Sequence, residues 1–142
     1  MKPAYLALLL TVVSNLLYHV AQKSVPRGAN PLLSVAVNYV VALALTLLLI
    51  PFFPSGQPLV AGLRQLNWAS WAVGVAIVGV EFGFLLAYRA GWPISTAAVT
   101  NSVALALLLL PAGLLFFRET LSPTRLLGVA LCGAGLWLVS RP

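Results

Sequence analysis

Charge is what this sequence has least of. Only 7% of its residues are charged, against roughly 25% in a soluble domain. There are two acids, Glu81 and Glu119, one histidine, His19, and one cysteine, Cys132. Each scarcity excludes something. A globule of this composition lacks the polar surface to meet water, so its solvent must largely be lipid. A single cysteine excludes an intrachain disulfide and says nothing of redox compartment. One His, one Cys and two Glu make no metal-ligand cluster and no Ser/His/Asp set, and no phosphate-cradling loop is present. The expectation is therefore no enzyme, no metal and no cofactor.

The eight basic residues give a net charge of +6. They are scattered singly, without the aromatic-basic patch that binds nucleic acid. They read as loop residues meeting anionic headgroups.

What the sequence has in quantity is apolar length, 61% of its residues. A spanning helix needs about 20 mostly apolar residues, and five stretches qualify. The first runs from Pro3 to Gln22 and stops at Lys23 and the breakers Pro26-Arg27-Gly28. It lacks an A-x-A cleavage site, so it is expected to be retained rather than cut as a signal peptide. The second runs from Leu32 to Phe53, opened by Asn30-Pro31 and closed by Pro51 and Pro54. The third runs from Trp68 to Tyr88, ending at Arg89 and Gly91. The fourth runs from Pro93 to Phe117, with Pro111 inside it as an expected kink. The fifth and shortest runs from Pro123 to Ser140, with Ser122 as N-cap and proline at the first helical position. The long connection, Pro54 to Asn67, is polar enough for an aqueous loop. Period-2 alternation is missing, and open sheets cannot satisfy their edges in lipid, so strands are not expected. The fold class is all-α: a polytopic membrane protein of five transmembrane helices, one domain over 1–142.

Five spans place the termini on opposite sides. One side then holds Lys2, Arg64, Arg118 and Arg125, and the other Lys23, Arg27, Arg89 and Arg141. A Lys/Arg excess on the cytoplasmic side normally sets orientation. Four against four gives no excess, which predicts insertion both ways round unless a single residue near an end decides it or the helix count is off by one.

Polar residues within the spans are the candidates for a site. Glu81 sits near the middle of the third span and is the only carboxylate at membrane depth; Glu119 belongs to the loop before the fifth span, where capping is the simpler role. An acid at a helix centre costs roughly 2.5–3.5 kcal/mol to insert, so Glu81 should face a cavity or a partner. Gly79 and Gly83 flank it and allow close approach, and Tyr88 lies seven residues on, on the same face. The functional reading is a substrate or proton site; the structural one is a protonated glutamate bridging two helices. In the first span Thr11, Asn15, His19 and Lys23 recur at spacing four on one face, with Ser14, Tyr18 and Gln22 nearby. This reads either as the wall of a substrate path or as helix–helix hydrogen bonding, with Lys23 snorkelling. In the fourth span Thr96 and Thr100 share a face; short hydroxyls often bond their own backbone, which leaves Asn101 as the better lining residue. The pathway candidates are thus Glu81, Asn15, Tyr18, Tyr88 and Asn101. In the fifth span Gly128 and Gly135 lie two turns apart on one face, a pattern for close helix packing; whether the partner helix belongs to this chain or another is open.

Phe116-Phe117-Arg118-Glu119-Thr120-Leu121-Ser122, followed by Leu127-Gly128-Val129-Ala130-Leu131-Cys132-Gly133-Ala134-Gly135, resembles the end of a repeat of the drug/metabolite transporter superfamily. That superfamily includes the EamA-type carriers and the small multidrug resistance transporters. From about Phe82 to Val139 the chain is similar to the last three helices of the latter, with their Ala-x-x-Pro turn at Ala90 to Pro93 and their paired glycines at Gly128 and Gly135. The four-helix transporters have no counterpart of Leu32 to Phe53, so the resemblance is better to five-helix members, half of a ten-helix EamA carrier. The essential glutamate of the small transporters' first helix falls on Asn15 when Lys23 is aligned, so that role does not carry over there; Glu81 is an inferred substitute.

The resemblance implies half of an inverted-repeat drug/metabolite transporter fold. It further implies a multi-pass protein of the cell inner (plasma) membrane, a secondary transporter of small metabolites or drug-like solutes, expected to be proton-coupled. In larger carriers two inverted repeats enclose a midplane site, so a half is expected to act as an antiparallel homodimer packed through Gly128 and Gly135. Its partners would be the lipid bilayer, a small-molecule substrate and a second copy, with no nucleic acid. The alternative is a subunit of a heteromeric flippase for lipid-linked substrates, or a non-transporting membrane scaffold.

Overall fold

In the computed structural model, residues 3–54, 56–117 and 122–139 are described. Lys2, Arg118, Glu119, Ser140 and Arg141 lie outside them, so the loop role expected for Glu119 does too.

The described residues form helices and connections only. They are α1 (Pro3–Ser24), α2 (Pro31–Leu49) continued by a 3-10 turn at Ile50–Phe52, α3 (Leu59–Arg64), α4 (Trp68–Arg89), α5 (Ile94–Phe117) and α6 (Pro123–Val139). At 1.5 Å per residue, α1 and α4 reach about 33 Å and α5 about 36 Å, enough to cross a hydrocarbon core of about 30 Å. With its 3-10 turn α2 also qualifies, giving four helices long and apolar enough to span. The 17 residues of α6 reach about 25 Å, short of that thickness. The chain is an all-helical, polytopic membrane protein.

The helix boundaries follow local chemistry. Asn30 caps α2: its Oδ1 accepts from the backbone N–H groups of Leu32 and Leu33 at 2.9 and 3.3 Å, and Pro31, which has no N–H to satisfy, takes the first helical position. Asn67 caps α4 by accepting from the Ala69 N–H at 2.9 Å. That helix ends at Ala90, and Gly91 follows with φ +97°, a backbone conformation that glycine adopts without Cβ strain. Ser122 opens α6, its carbonyl accepting from the Leu126 N–H at 3.2 Å. The helix α5 runs through Pro111 as one element, without the backbone hydrogen bond that a proline nitrogen cannot donate. The connection from Pro54 to Asn67, expected as an aqueous loop, contains the short helix α3, which follows Pro58.

The chain divides into two compact units, one of Ala21–Ala90 and one of Met1–Val20 with Gly91–Pro142. In the first, α2 packs against α4. The buried residues there are Val35 on α2 and Leu85 and Tyr88 on α4. Glu81, Leu85 and Tyr88 recur at i, i+4 and i+7 and so form one stripe of α4, while Val35 and Asn38, three apart, share a face of α2. In the second unit α5 packs against α6, with Ala97 and Val103 buried. Most other large apolar side chains are exposed, Leu10, Leu17, Val40, Trp71 and Leu115 among them. Such a surface would not survive in water; on a spanning helix it is what faces acyl chains.

Candidate functional site

Glu81 is held by amides from two other helices. Gln22, in the last turns of α1, donates from Nε2 to Glu81 Oε2 at 2.8 Å and to the Glu81 backbone carbonyl at 3.2 Å. Asn38 on α2 donates from Nδ2 to the same Oε2 at 2.9 Å. Three elements of the Ala21–Ala90 unit thus converge on one carboxyl oxygen. Gln22 is only 3% exposed, which shows that this amide is committed to the cluster rather than to solvent. Among the described residues nothing donates to Oε1, and no cation pairs with the carboxylate. Tyr39, next to Asn38, lies within the field of Glu81; its hydroxyl is buried and without a hydrogen-bond partner among the described residues.

This arrangement has a definite chemistry. Neutral amide donors stabilise a carboxylate by hydrogen bonding without cancelling its charge. A carboxyl group with one oxygen engaged keeps acceptor capacity on the other. The group can therefore take a proton, or accept from a cationic or hydroxyl-bearing ligand, without first breaking an ion pair.

One helical turn or two beyond Glu81, the C-terminal ends of α1 and α4 meet the connection between α1 and α2. Phe84 and Tyr88 stack at 5.9 Å between centroids, and Lys23 Nζ lies 5.4 Å from the centre of the Tyr88 ring, a cation–π contact. Arg89 donates to the Ala29 carbonyl at 2.8 Å and the Pro26 carbonyl at 3.4 Å. Gln22, Lys23, Val25, Arg27, Tyr88 and Arg89 line a cleft of about 80 Å³.

Of the residues singled out from the sequence, Glu81 and Tyr88 share this unit and one stripe of α4. Asn15, Tyr18 and Asn101 belong to the other unit. Asn15 and Asn101 are exposed on their helices, and Tyr18, half-buried, meets His19 edge-on at 5.0 Å. The α1 residue that reaches Glu81 is Gln22, which stands beside Lys23 and outside the row at spacing four. Thr11 bonds back to the Ala7 carbonyl at 3.0 Å, as Thr46 does to Ala42 at 2.7 Å. Thr100 departs from that pattern: its hydroxyl is buried without a partner among the described residues. A Cβ placed on Gly128 or Gly135 would meet no heavy atom within 4 Å, so neither glycine is in close packing within the described chain.

Two members of the cluster were missed from sequence, Asn38 and the decisive role of Gln22. Asn38 did leave a signal. It is the one amide inside the apolar run of α2, and a lone amide at membrane depth needs a partner as much as an acid does.

A family model for EamA-like transporters matches residues 2–141. The chain belongs to the EamA-like transporter family. That membership makes this multi-pass protein a membrane transporter of small solutes, in a family of transporters rather than enzymes. No curated protein and no solved structure matches the chain.

Proposed function

We propose that this EamA-like protein is a secondary transporter of small metabolites or drug-like solutes in the cell inner membrane, coupled to protons through Glu81. The observation that carries the reading is the Glu81 carboxyl group, placed mid-helix and held on one oxygen only by Gln22 and Asn38. Charge at this depth is costly. Neutral donors lower that cost without removing the charge. Tyr39 and Tyr88 provide further polar groups in the same unit.

The working assembly in this proposal is an antiparallel homodimer. A midplane site in larger carriers lies between two inverted repeats, and these five helices correspond to one. Gly128 and Gly135 present open backbone on α6, which suits close approach of a second helix. The four-to-four distribution of basic residues suits insertion in both orientations. Asn15, Tyr18 and Asn101 are further candidate substrate-path residues in this proposal.

The test is uptake into proteoliposomes under an imposed pH gradient, with a panel of small amines and neutral metabolites. Glu81→Gln should retain fold and dimer and lose gradient-driven transport. Transport by Glu81→Gln at the parent rate with unchanged pH dependence would make Glu81 a structural bridge and end the coupling reading.

A further inference from the structure

The cleft at the ends of α1 and α4 adjoins the Glu81 cluster through Gln22, and its lining is unusual for this chain. The sequence has eight basic residues in 142, yet Lys23, Arg27 and Arg89 all line this one cleft with Tyr88. Three cations brought together repel one another unless something negative joins them. Glu81 is the one acid among the described residues. Glu81 is eight residues before Arg89 on α4, about 12 Å along the helix, and its carboxylate is engaged by amides.

The cations are also pre-positioned. The Arg89 guanidinium is fixed by the Ala29 and Pro26 carbonyls, which are neutral acceptors and leave its charge intact. Its Nε is buried and has no hydrogen-bond partner among the described residues, a donor left unmet in a position where water is scarce. Lys23 Nζ is steered by the face of Tyr88. Arg27 is exposed on the connection at the mouth. A cleft of about 80 Å³ holds several waters or one tetrahedral oxyanion, and guanidinium groups present the paired donors that such an oxyanion accepts.

We infer that this cleft binds an anionic phosphate group, through Arg89, Lys23 and Arg27. Two sources carry that chemistry, since the cleft lies at the ends of two spanning helices. One is the headgroup of an anionic phospholipid, entering from the interface. The other is a soluble phosphate or phosphomonoester, entering from water. The inference does not rest on proton coupling at Glu81.

The experiment uses the full-length protein in neutral detergent, with binding read by native mass spectrometry and by the shift in thermal unfolding. One arm adds phosphatidylglycerol, a second phosphatidylcholine, a third inorganic phosphate. Saturable binding is expected for phosphatidylglycerol or for inorganic phosphate, and whichever of the two saturates identifies the source; phosphatidylcholine should be weaker. Lys23→Gln combined with Arg27→Gln should weaken binding at least about tenfold while helix content stays unchanged. Arg64→Gln combined with Arg125→Gln removes the same net charge elsewhere and should leave binding intact. Absence of saturable binding in both anionic arms overturns the inference. Equal weakening in the two double variants overturns it as well, because the cations would then act only through net charge.

Discussion

Replacing Glu81 with alanine should destabilise the protein by about 3 kcal/mol, through the two amides that lose their acceptor. Oε2 takes Gln22 Nε2 at 2.8 Å and Asn38 Nδ2 at 2.9 Å. In Glu81→Ala, Asn38 has no acceptor left in the cluster, and Gln22 keeps only its 3.2 Å bond to the backbone carbonyl. Hydrogen bonds to charged groups contribute about 1.5–3 kcal/mol each in water-soluble proteins. Between membrane helices the measured range is lower, averaging about 0.6 and reaching about 1.7 kcal/mol, because the unfolded state in lipid finds other partners. Two short bonds near the top of that range give the figure of about 3. Glu81→Gln keeps an acceptor oxygen in place and should cost only about 1 kcal/mol. The assay is reversible unfolding in mixed micelles with rising dodecyl sulfate, followed by circular dichroism and by the fluorescence of the four tryptophans. A double-mutant cycle between Asn38→Ala and Glu81→Ala should show coupling of at least about 1 kcal/mol. A loss below about 0.5 kcal/mol for Glu81→Ala, with no coupling in the cycle, would refute the argument that this cluster ties α1, α2 and α4 together.

Two further outcomes concern topology and assembly. Reporter fusions at the C-terminus should give signal on both sides of the membrane, and adding two lysines to the 54–67 connection should lock one orientation; a one-sided signal from the unmodified chain would contradict the charge count. Gly128→Leu with Gly135→Leu should leave the monomer folded, since a Cβ at either position would meet no heavy atom within 4 Å beyond its own stretch of helix, and should weaken the dimer seen by crosslinking; dimers of parental strength would place the helix contact elsewhere.

Much of the architecture is set by the sequence alone, because lipid leaves the backbone few options. A run of apolar residues long enough to cross must satisfy its own N–H and C=O groups, and a helix does so within one segment. The boundaries are equally local. Asn30, Gly91 and the prolines act through neighbouring backbone, so α4 and α5 begin and end within one residue of where the sequence puts them, as does α2 once its 3-10 turn is included. Glu81 stands out for the same reason: an acid in an apolar helix is costly wherever that helix packs.

What fills the space around Glu81 is a matter of tertiary structure. Gln22 is 59 residues away in sequence and Asn38 43 residues away, and neither spacing carries information about their meeting. Which face of α1 turns inward depends on the rotation of that helix against its neighbours. A shift of one residue turns a helix by about 100°, enough to exchange the Asn15 row for Gln22. The basic cleft has the same origin. Lys23, Arg27 and Arg89 read along the chain as three scattered loop charges, and only the packing of α2 against α4, with the 25–30 connection folded onto Arg89, gathers them into one place.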